Sequence, residues 1–283
     1  MTTTLRPIGP EERDAAGVRS RRYTISVNGR PAGRLHLAAD PAGPEAGTIG
    51  RIHELVVDPA DRRRGRGTVA ALAAEEVLRG WGCGTLEVRL DAGAEAASGL
   101  AEQLGLVERS RNMVKEVAPG ATAPDLPEGA ELREMTAAEY PDWLAAERED
   151  FVRAWTDRGV PAAAAARRAD GAYTRLLAEG PVTPGTVLRV LEIGGDRAGA
   201  LWVRNGGELP DGADSYVYSV HVSEGRRGQG LGRALMVEAE RVCAAAGLSL
   251  LGLHVFADNT PARRLYDSLG YRTVAVNTVK RIG

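Results

Sequence analysis

The glycines and arginines of Arg227-Gly228-Gln229-Gly230-Leu231-Gly232 are the residues best suited to hold a ligand. Glycine lets a backbone approach a ligand closely, and the first amides of a helix have no hydrogen-bond partner within that helix. The apolar pattern that follows predicts a helix over Arg233 to Ala246, so these amides would point at an anion bound at the turn. Arg226 and Arg227 can add charge-assisted hydrogen bonds. The turn is therefore a candidate diphosphate site.

Other interpretations of this turn lead to different proteins. A glycine-rich turn flanked by two solvated arginines is the alternative without a ligand. A dinucleotide fingerprint requires G-x-G-x-x-G near the start of a parallel unit, whereas this turn has G-x-G-x-G late in the chain. A phosphate-loop nucleotidase requires Gly-Lys-Ser or Gly-Lys-Thr, and the sequence contains neither. Both nucleotide-binding classes are thus excluded.

A regular succession of predicted strands and helices surrounds the turn. A strand over Tyr216 to Val222 precedes it, and a second strand over Leu250 to Phe256 follows the predicted helix. A short helix is predicted over Pro261 to Leu269, with Thr260 as its N-cap and Tyr266 in its last turns. Strands mixed with helices predict a layered fold of the α/β or α+β class, in which the sheet is mixed.

The order of these features resembles the GNAT N-acetyltransferase superfamily. The strand, the R-x-x-G-x-G turn, the helix, the next strand, Asp258-Asn259, Tyr266 and Gly270-Tyr271 carry the resemblance. It covers residues 130–283 well and residues 1–118 more weakly. It implies acetyl-CoA as the cofactor, no metal, and transfer of the acetyl group to a primary amine of a small molecule or peptide by direct attack. Within the family, the chain is similar to tandem GNAT proteins, in which one half often no longer catalyses.

The resemblance also implies roles for individual residues. Acetyl-CoA would lie in a V-shaped opening between the two predicted parallel strands, with the backbone of Val220 and Val222 against the pantetheine arm. The amides from Gly228 to Arg233 would hold the diphosphate, and Tyr266 would protonate the leaving thiolate. The expected cofactor-binding residues are Val220, His221, Val222, Arg227, Gly228, Gln229, Gly230, Leu231, Gly232, Arg233, Asn259, Ala262 and Tyr266.

The attacking amine must lose a proton, and the sequence identifies the acceptor of that proton poorly. Asp214, just before the strand, is the candidate base, and Glu208, Asp211 and Ser219 are its neighbours. A solvated loop carboxylate is the alternative for Asp214, and a half-buried core tyrosine is the alternative for Tyr266. His221 is expected to be a surface or structural histidine, although it lies within the predicted cofactor-binding strand.

The chain repeats itself. Val57 to Gly67 has the rhythm of Val220 to Gly230, and Leu104 to Leu106 matches Leu269 to Tyr271. The two matches differ in offset by two residues. An approximate duplication is the simplest explanation.

A proline-, glycine- and alanine-rich stretch between the repeats predicts a linker over residues 119–129. It separates a first domain, residues 1–118, from a second domain, residues 130–283. The second domain carries an insert over Glu139 to Gly180 that predicts two helices. Aromatic residues of this insert, Trp143 and Tyr173 among them, line an acceptor pocket or belong to the core.

The first repeat lacks several of the features that carry the resemblance. Val69 stands where the last glycine of the turn is expected, Ala101 replaces Tyr266, and Ala94 replaces Asn259. The insert is almost absent. These differences predict a first domain that does not catalyse and binds CoA weakly or not at all.

Composition limits the classes that remain. The 283 residues carry a net charge of −2, so no global basic field attracts nucleic acid or an anionic membrane. Two cysteines form neither a disulfide framework nor a zinc pattern, and no long apolar run suggests a membrane span. We expect a cytoplasmic monomer or homodimer whose partner is the acceptor amine. A non-catalytic acyl-CoA sensor or ligand-sequestering protein is the alternative, while a nucleic-acid binder is disfavoured.

Overall fold

The computed structural model describes residues 2–41 and 48–283, which form two compact units. The first unit contains residues 1–110 and 275–283, and the second contains residues 111–274. The strands are β1 (Thr3–Arg13), β2 (Arg19–Val27), β3 (Arg30–Pro41), β4 (Thr48–Val57), β5 (Cys83–Asp91), β6 (Val107–Glu116), β7 (Ala130–Glu134), β8 (Thr186–Ile193), β9 (Asp196–Asn205), β10 (Ser215–Val222), β11 (Leu250–Phe256) and β12 (Arg272–Arg281). The helices are α1 (Arg66–Gly80), α2 (Glu95–Gln103), α3 (Tyr140–Thr156), α4 (Ala162–Leu176), α5 (Leu231–Ala245) and α6 (Thr260–Ser268).

The first unit is a mixed sheet in the order β1-β2-β3-β4-β5-β12. Strands β4 and β5 pair in parallel over Thr48–Arg51, although β4 continues to Val57. Strand β12 lies antiparallel to β5, from Ala275 opposite Asp91 to Arg281 opposite Thr85. Helix α1 contributes Ala70, Ala74 and Leu78 to the core beneath this sheet.

The second unit is a mixed sheet in the order β6-β11-β10-β9-β8-β7. Alternate residues of β9 contact two different layers, because successive side chains of a strand point to opposite faces. Leu201 and Val203 pack in the cluster that contains Leu235 of α5, whereas Trp202 packs with Trp143 of α3. The sheet is therefore covered on both faces. The predicted α/β class and the two helices of the insert, α3 and α4, are confirmed.

The repeat is more regular in the structure than in the sequence. Gly65 caps α1 and Gly230 caps α5, both in the left-handed conformation, and one constant offset relates this pair to the pair Gly105 and Gly270. The two-residue difference in offset between the two sequence matches is therefore wrong. The match of Val57 to Gly67 with Val220 to Gly230 pairs the two glycine-rich turns out of register.

The same offset relates β6 to β12, and it shows where the last strand of each repeat lies. Lys280 of β12 pairs with Glu75 of α1 in the first unit, with Nζ 2.8 Å from Oε1. Lys115 of β6 pairs with Glu240 of α5 in the second unit at 2.7 Å. Each repeat thus supplies its last strand to the unit built mainly from the other repeat.

The compact units consequently do not follow the boundaries drawn at residues 118 and 130. Those boundaries follow the repeat in the sequence, whereas the first compact unit includes residues 275–283, whose strand pairs with β5, and the second includes residues 111–116. Residues 117–129, which include the predicted linker, form no helix or strand. Ala121 and Leu126 nevertheless pack against the core of the second unit.

Candidate functional site

The glycine-rich turn of the second unit has the backbone that its composition predicted. Gly228 and Gly230 have φ angles of 77° and 81°, in the left-handed region that favours glycine. Gly230 is the N-cap of α5, so the helix begins at Leu231, which is buried, rather than at Arg233. A Cβ at Gly232 would lie 3.4 Å from the side chain of Leu265, which shows how closely α5 approaches α6.

Two arginines add positive charge at this helix N-terminus, where the helix dipole already favours anions. Arg227 is exposed, and its Nε donates to the carbonyl of Val222 at 3.4 Å. Arg233 is exposed and donates to Ser268 Oγ at 2.6 Å. Together with the amides of Leu231, Gly232 and Arg233, they form a surface that can hold a diphosphate.

The sheet opens next to this turn. Strands β10 and β11 pair in parallel from Ser215 opposite Leu251 to Val217 opposite Leu253, and no further pairing of the two strands occurs among the described residues. A bulge at Tyr218 interrupts the pairing of β10 with β9. The strands therefore separate toward Val220 and Val222, which is the opening in which the resemblance places the pantetheine arm.

Tyr266 lies on α6 and belongs to the apolar cluster below this opening. Its exposure is 9%, and its ring centre lies 5.9 Å from that of Tyr271. Burial raises the pKa of Tyr266 to about 12, so the phenol remains protonated at neutral pH. A protonated phenol is the form that an acid for a leaving thiolate requires.

Asn259 caps α6, which corrects the sequence-based assignment of Thr260 as the N-cap. The Asn259 Oδ1 accepts a hydrogen bond from the amide of Ala262 at 3.2 Å. Thr260 is the first residue of the helix, and Pro261 follows it in the first turn. Asn259 and Ala262 thus form the cap of α6, and contacts of these two residues with CoA stay a prediction.

Asp214 lies at the opposite end of β10 from the opening. Its Oδ2 accepts hydrogen bonds from the amide of Leu250 at 3.0 Å, the amide of Ser249 at 3.3 Å and the hydroxyl of Ser249 at 3.2 Å. At roughly 3.3 Å per residue, β10 carries the chain about 26 Å from Asp214 to Val222. The structure thus gives Asp214 a role in fixing the start of β11 and does not bring it to the predicted site.

A different carboxylate lies beside the opening. Glu147 of α3 accepts a hydrogen bond at Oε2 from the hydroxyl of Ser219, at 2.8 Å. Ser219 is the first residue after the bulge, where β10 leaves β11. Burial raises the pKa of Glu147 to about 7, and the negative charge of Asp150 acts in the same direction.

His221 follows two positions later on the same strand. Its Nδ1 lies 3.5 Å from Oδ2 of Asp150, and each side chain is nearly half exposed. Burial lowers the pKa of His221 more than Asp150 raises it. The side chain of His221 therefore faces α3, and a contact with CoA would come from its backbone.

Aromatic rings of α3, α4 and the sheet form one packed layer. Trp143 meets Trp202 edge-on at 5.8 Å between ring centres, and Tyr218 stacks on Trp202 at 4.9 Å. Trp143 and Tyr173 are buried, which favours the core interpretation of these two residues. Phe151 and Trp155 are only partly buried, and Trp155 packs edge-on against Phe256 at the end of β11.

Similarity to known proteins identifies the family of this chain. The sequence model described as the acetyltransferase (GNAT) family matches residues 4–106 and 131–271. The chain belongs to the acetyltransferase (GNAT) family. Its GNAT sequence is 31% identical to a mycothiol acetyltransferase of Clavibacter sepedonicus over 92% of this chain and 84% of the relative. The prediction of an acetyl-CoA-dependent N-acetyltransferase is confirmed at the level of the family.

Solved GNAT structures share the fold. A GCN5-related N-acetyltransferase from Sphaerobacter thermophilus is 22% identical, with a TM-score of 0.61 over 92% of this chain and 80% of that chain. A tandem GNAT protein from the clavulanic acid biosynthesis pathway is 20% identical, with a TM-score of 0.53 over 95% of this chain and 84% of that chain. The predicted tandem arrangement of two GNAT-like repeats is confirmed.

No group of three or more His, Cys, Asp or Glu side chains in residues 2–41 and 48–283 is arranged to hold a metal ion. No helix in these ranges is long and apolar enough to cross a membrane.

The GNAT turn of the first unit is better preserved than the sequence indicated. With Gly65 equivalent to Gly230, the last glycine of the motif is Gly67, so the assignment of that position to Val69 is wrong. Val69 is 44% exposed on α1. The residue replaced is Gly228, for which Arg63 takes the left-handed conformation with φ 58°.

The constant offset confirms that the first unit lacks two side chains of the candidate site. Ala101 lies at the position of Tyr266, and Ala94 at that of Asn259. A cavity of about 700 Å³ lies where β4 separates from β5, bounded by the Arg62–Gly67 turn and by Leu100 and Leu104 of the α2 region. The first unit therefore retains a ligand-sized cavity but lacks a tyrosine equivalent to Tyr266.

Sequence reasoning missed Glu147. The available signal was its spacing, because Trp143, Glu147 and Asp150 lie on one face of α3. This spacing places two carboxylates on the helix face that carries Trp143, but only the fold brings Glu147 to Ser219.

Proposed function

We propose that the second unit transfers the acetyl group of acetyl-CoA to a primary amine of a small molecule or peptide by direct attack. The observation that carries the proposal is the opening between β10 and β11 beside the glycine-capped N-terminus of α5. The opening can hold an extended pantetheine arm along a strand edge, and the N-terminus of α5 can hold a diphosphate. Family membership supplies the donor.

In this proposal, different residues around the opening bind the diphosphate, align the pantetheine arm and donate a proton. The amides of Leu231 to Arg233, together with Arg227, hold the diphosphate, and the freed edge of Val220 and Val222 aligns the arm. Alignment of the thioester with the amine lowers the entropic cost of reaction. Tyr266 donates its phenolic proton to the thiolate that leaves when the amine attacks the carbonyl carbon.

The first unit does not catalyse in this proposal, because Ala101 cannot supply a proton where Tyr266 does. The acceptor of the mycothiol acetyltransferases is the first amine to test, since a relative of that name covers most of this chain. A small amine or a peptide N-terminus is the wider class.

Calorimetric titration with acetyl-CoA tests the assignment of the donor site. Arg227→Ala should weaken binding at the catalytic site at least tenfold, because it removes a charge from the diphosphate surface. Arg62→Ala, the equivalent change in the first unit, is the matched control and should leave the rate of thiol release unchanged. Unchanged affinity in Arg227→Ala, or loss of thiol release in Arg62→Ala, would overturn the assignment.

Thiol release from acetyl-CoA, measured over a panel of amines, separates the enzyme from an acyl-CoA sensor. An enzyme releases CoA only when an acceptor is present. Binding without release for every amine would favour the sensor.

A further inference from the structure

We propose that Glu147 is the catalytic residue that takes the proton from the ammonium group of the acceptor. This inference rests on the proposed function and names the base that the acetyl transfer requires. It also assigns the acceptor to amines that are cationic in solution and that enter from the α3 side of the sheet.

The first argument is the cavity next to the carboxylate. A space of about 70 Å³ lies between α3, β9 and β10, bounded by Trp143, Glu147, Gly199, His221 and Ser223, with Asp150 and Arg197 at its edge. Water occupies about 30 Å³ per molecule in the liquid. The cavity therefore admits an amino group and its first carbon, while the rest of an acceptor must remain outside it.

The second argument is the position of Glu147 along β10. Ser219, which donates to Glu147 at 2.8 Å, follows the bulge and lies where the strand separates from β11. An acetyl group bound along this edge would lie within reach of an amine in the cavity. Asp214, at the far end of β10, lacks this proximity.

The third argument is the surroundings of the carboxylate. Apolar burial and Asp150 favour its protonated form, while the Ser219 hydroxyl favours the ionised form. The other groups that face this region are Tyr173 of α4, whose hydroxyl donates to the Glu147 carbonyl at 3.3 Å, His221 of β10 and Arg197 of β9. A base poised near neutrality both accepts and releases protons efficiently.

The proton balance closes without another reactant. The ammonium gives one proton to Glu147, and its nitrogen attacks the thioester carbonyl to form the C–N bond. The C–S bond breaks as the intermediate collapses, and the thiolate takes a proton from Tyr266. The new amide nitrogen loses its second proton, which restores Tyr266 through solvent, and Glu147 releases its proton to water. The sum is ammonium plus acetyl-CoA giving amide, CoA thiol and one proton.

The test is Glu147→Gln, with kcat/KM measured from pH 5.5 to 10 on an amine of the panel whose own pKa is about 9. Wild type should show an inflection near pH 7 from Glu147, in addition to the titration of the amine. The variant should lose that inflection and about 10²-fold or more in rate at pH 7. The deficit should shrink toward pH 10, where the amine is already neutral. Glu149→Gln on the same helix is the matched control and should retain the wild-type profile.

Structural damage gives a different result. Because the folded-state pKa of Glu147 is raised, its ionisation destabilises the fold as pH rises through about 7. Glu147→Gln should therefore be at least as stable as wild type at pH 8. Ser219→Ala should shift the inflection upward, since it removes the hydrogen bond that favours the ionised carboxylate.

Failure of this inference can be distinguished from failure of the proposed function. If wild type binds acetyl-CoA but releases no thiol with any amine, the proposed function fails. If wild type turns over and Glu147→Gln keeps both its rate and its inflection, Glu147 is not the base and the proposed function stands.

Discussion

Replacement of Asp214 separates a structural carboxylate from a catalytic one. Its Oδ2 accepts three hydrogen bonds from Ser249 and Leu250, of which the bond from the Leu250 amide is the shortest and the least exposed. Hydrogen bonds to a charged group contribute about 1.5–3 kcal/mol each, and less where water can replace the partner. The two longer bonds to the exposed Ser249 add little. We therefore expect Asp214→Ala to lower the free energy of unfolding by about 2 kcal/mol.

For a unit of this size, a loss of about 2 kcal/mol corresponds to a fall in Tm of about 4–8 °C. Thermal unfolding followed by circular dichroism measures this shift, and thiol release measured well below the transition gives kcat. Asp214→Asn keeps one acceptor oxygen and should fall between wild type and the alanine variant. An unchanged Tm with a kcat reduced more than tenfold would refute the reasoning and return Asp214 to the reaction.

Other substitutions test the remaining parts of the structure. Tyr266→Phe should lower kcat about 10²-fold, because the variant lacks the proton that the leaving thiolate takes, and should leave acetyl-CoA affinity within threefold. Steady-state kinetics measures kcat, and calorimetry measures the affinity. An unchanged kcat would show that Tyr266 has only a structural role in the core. Lys280→Met should destabilise the first unit by about 2–3 kcal/mol, because Glu75 is 2% exposed and loses the nearer of its two cationic partners, while Arg79 remains at 3.5 Å. Lys115→Met should act likewise on the second unit through Glu240. Only Lys115→Met should lower the temperature at which thiol release is lost, and equal effects of the two variants on that temperature would contradict the assignment of the strands.

The order of elements was predictable because glycines and apolar periods mark it. Gly228 and Gly230 indicated the start of α5 to within two residues, and the two helices of the insert followed from aromatic spacing. The register of the first repeat was not predictable, because Arg63 occupies a left-handed position without being glycine. The motif therefore appeared shifted by two residues, which placed Val69 at a glycine position that Gly67 holds.

The proposed base, Glu147, could not be predicted from the sequence for a related reason. Asp214 lies close to the motif along the chain, but an extended strand places it far from the opening in space. Glu147 is distant in sequence, and packing of α3 on the sheet brings it to Ser219. Proximity along a strand is a poor guide to proximity in a site, because each residue advances the chain by about 3.3 Å.

The exchange of last strands imposes an order on biosynthesis. Strand β6 leaves the ribosome before the rest of the second unit, so that unit has its strand in place as soon as its other elements emerge. The first unit must wait, because Lys280 is synthesised 205 positions after its partner Glu75. At about 5–20 residues per second, the edge of β5 stays unpaired by β12 for roughly 10 to 40 seconds on every nascent chain. An unpaired strand edge can join another chain, so crowded polysomes would favour aggregation of the first unit.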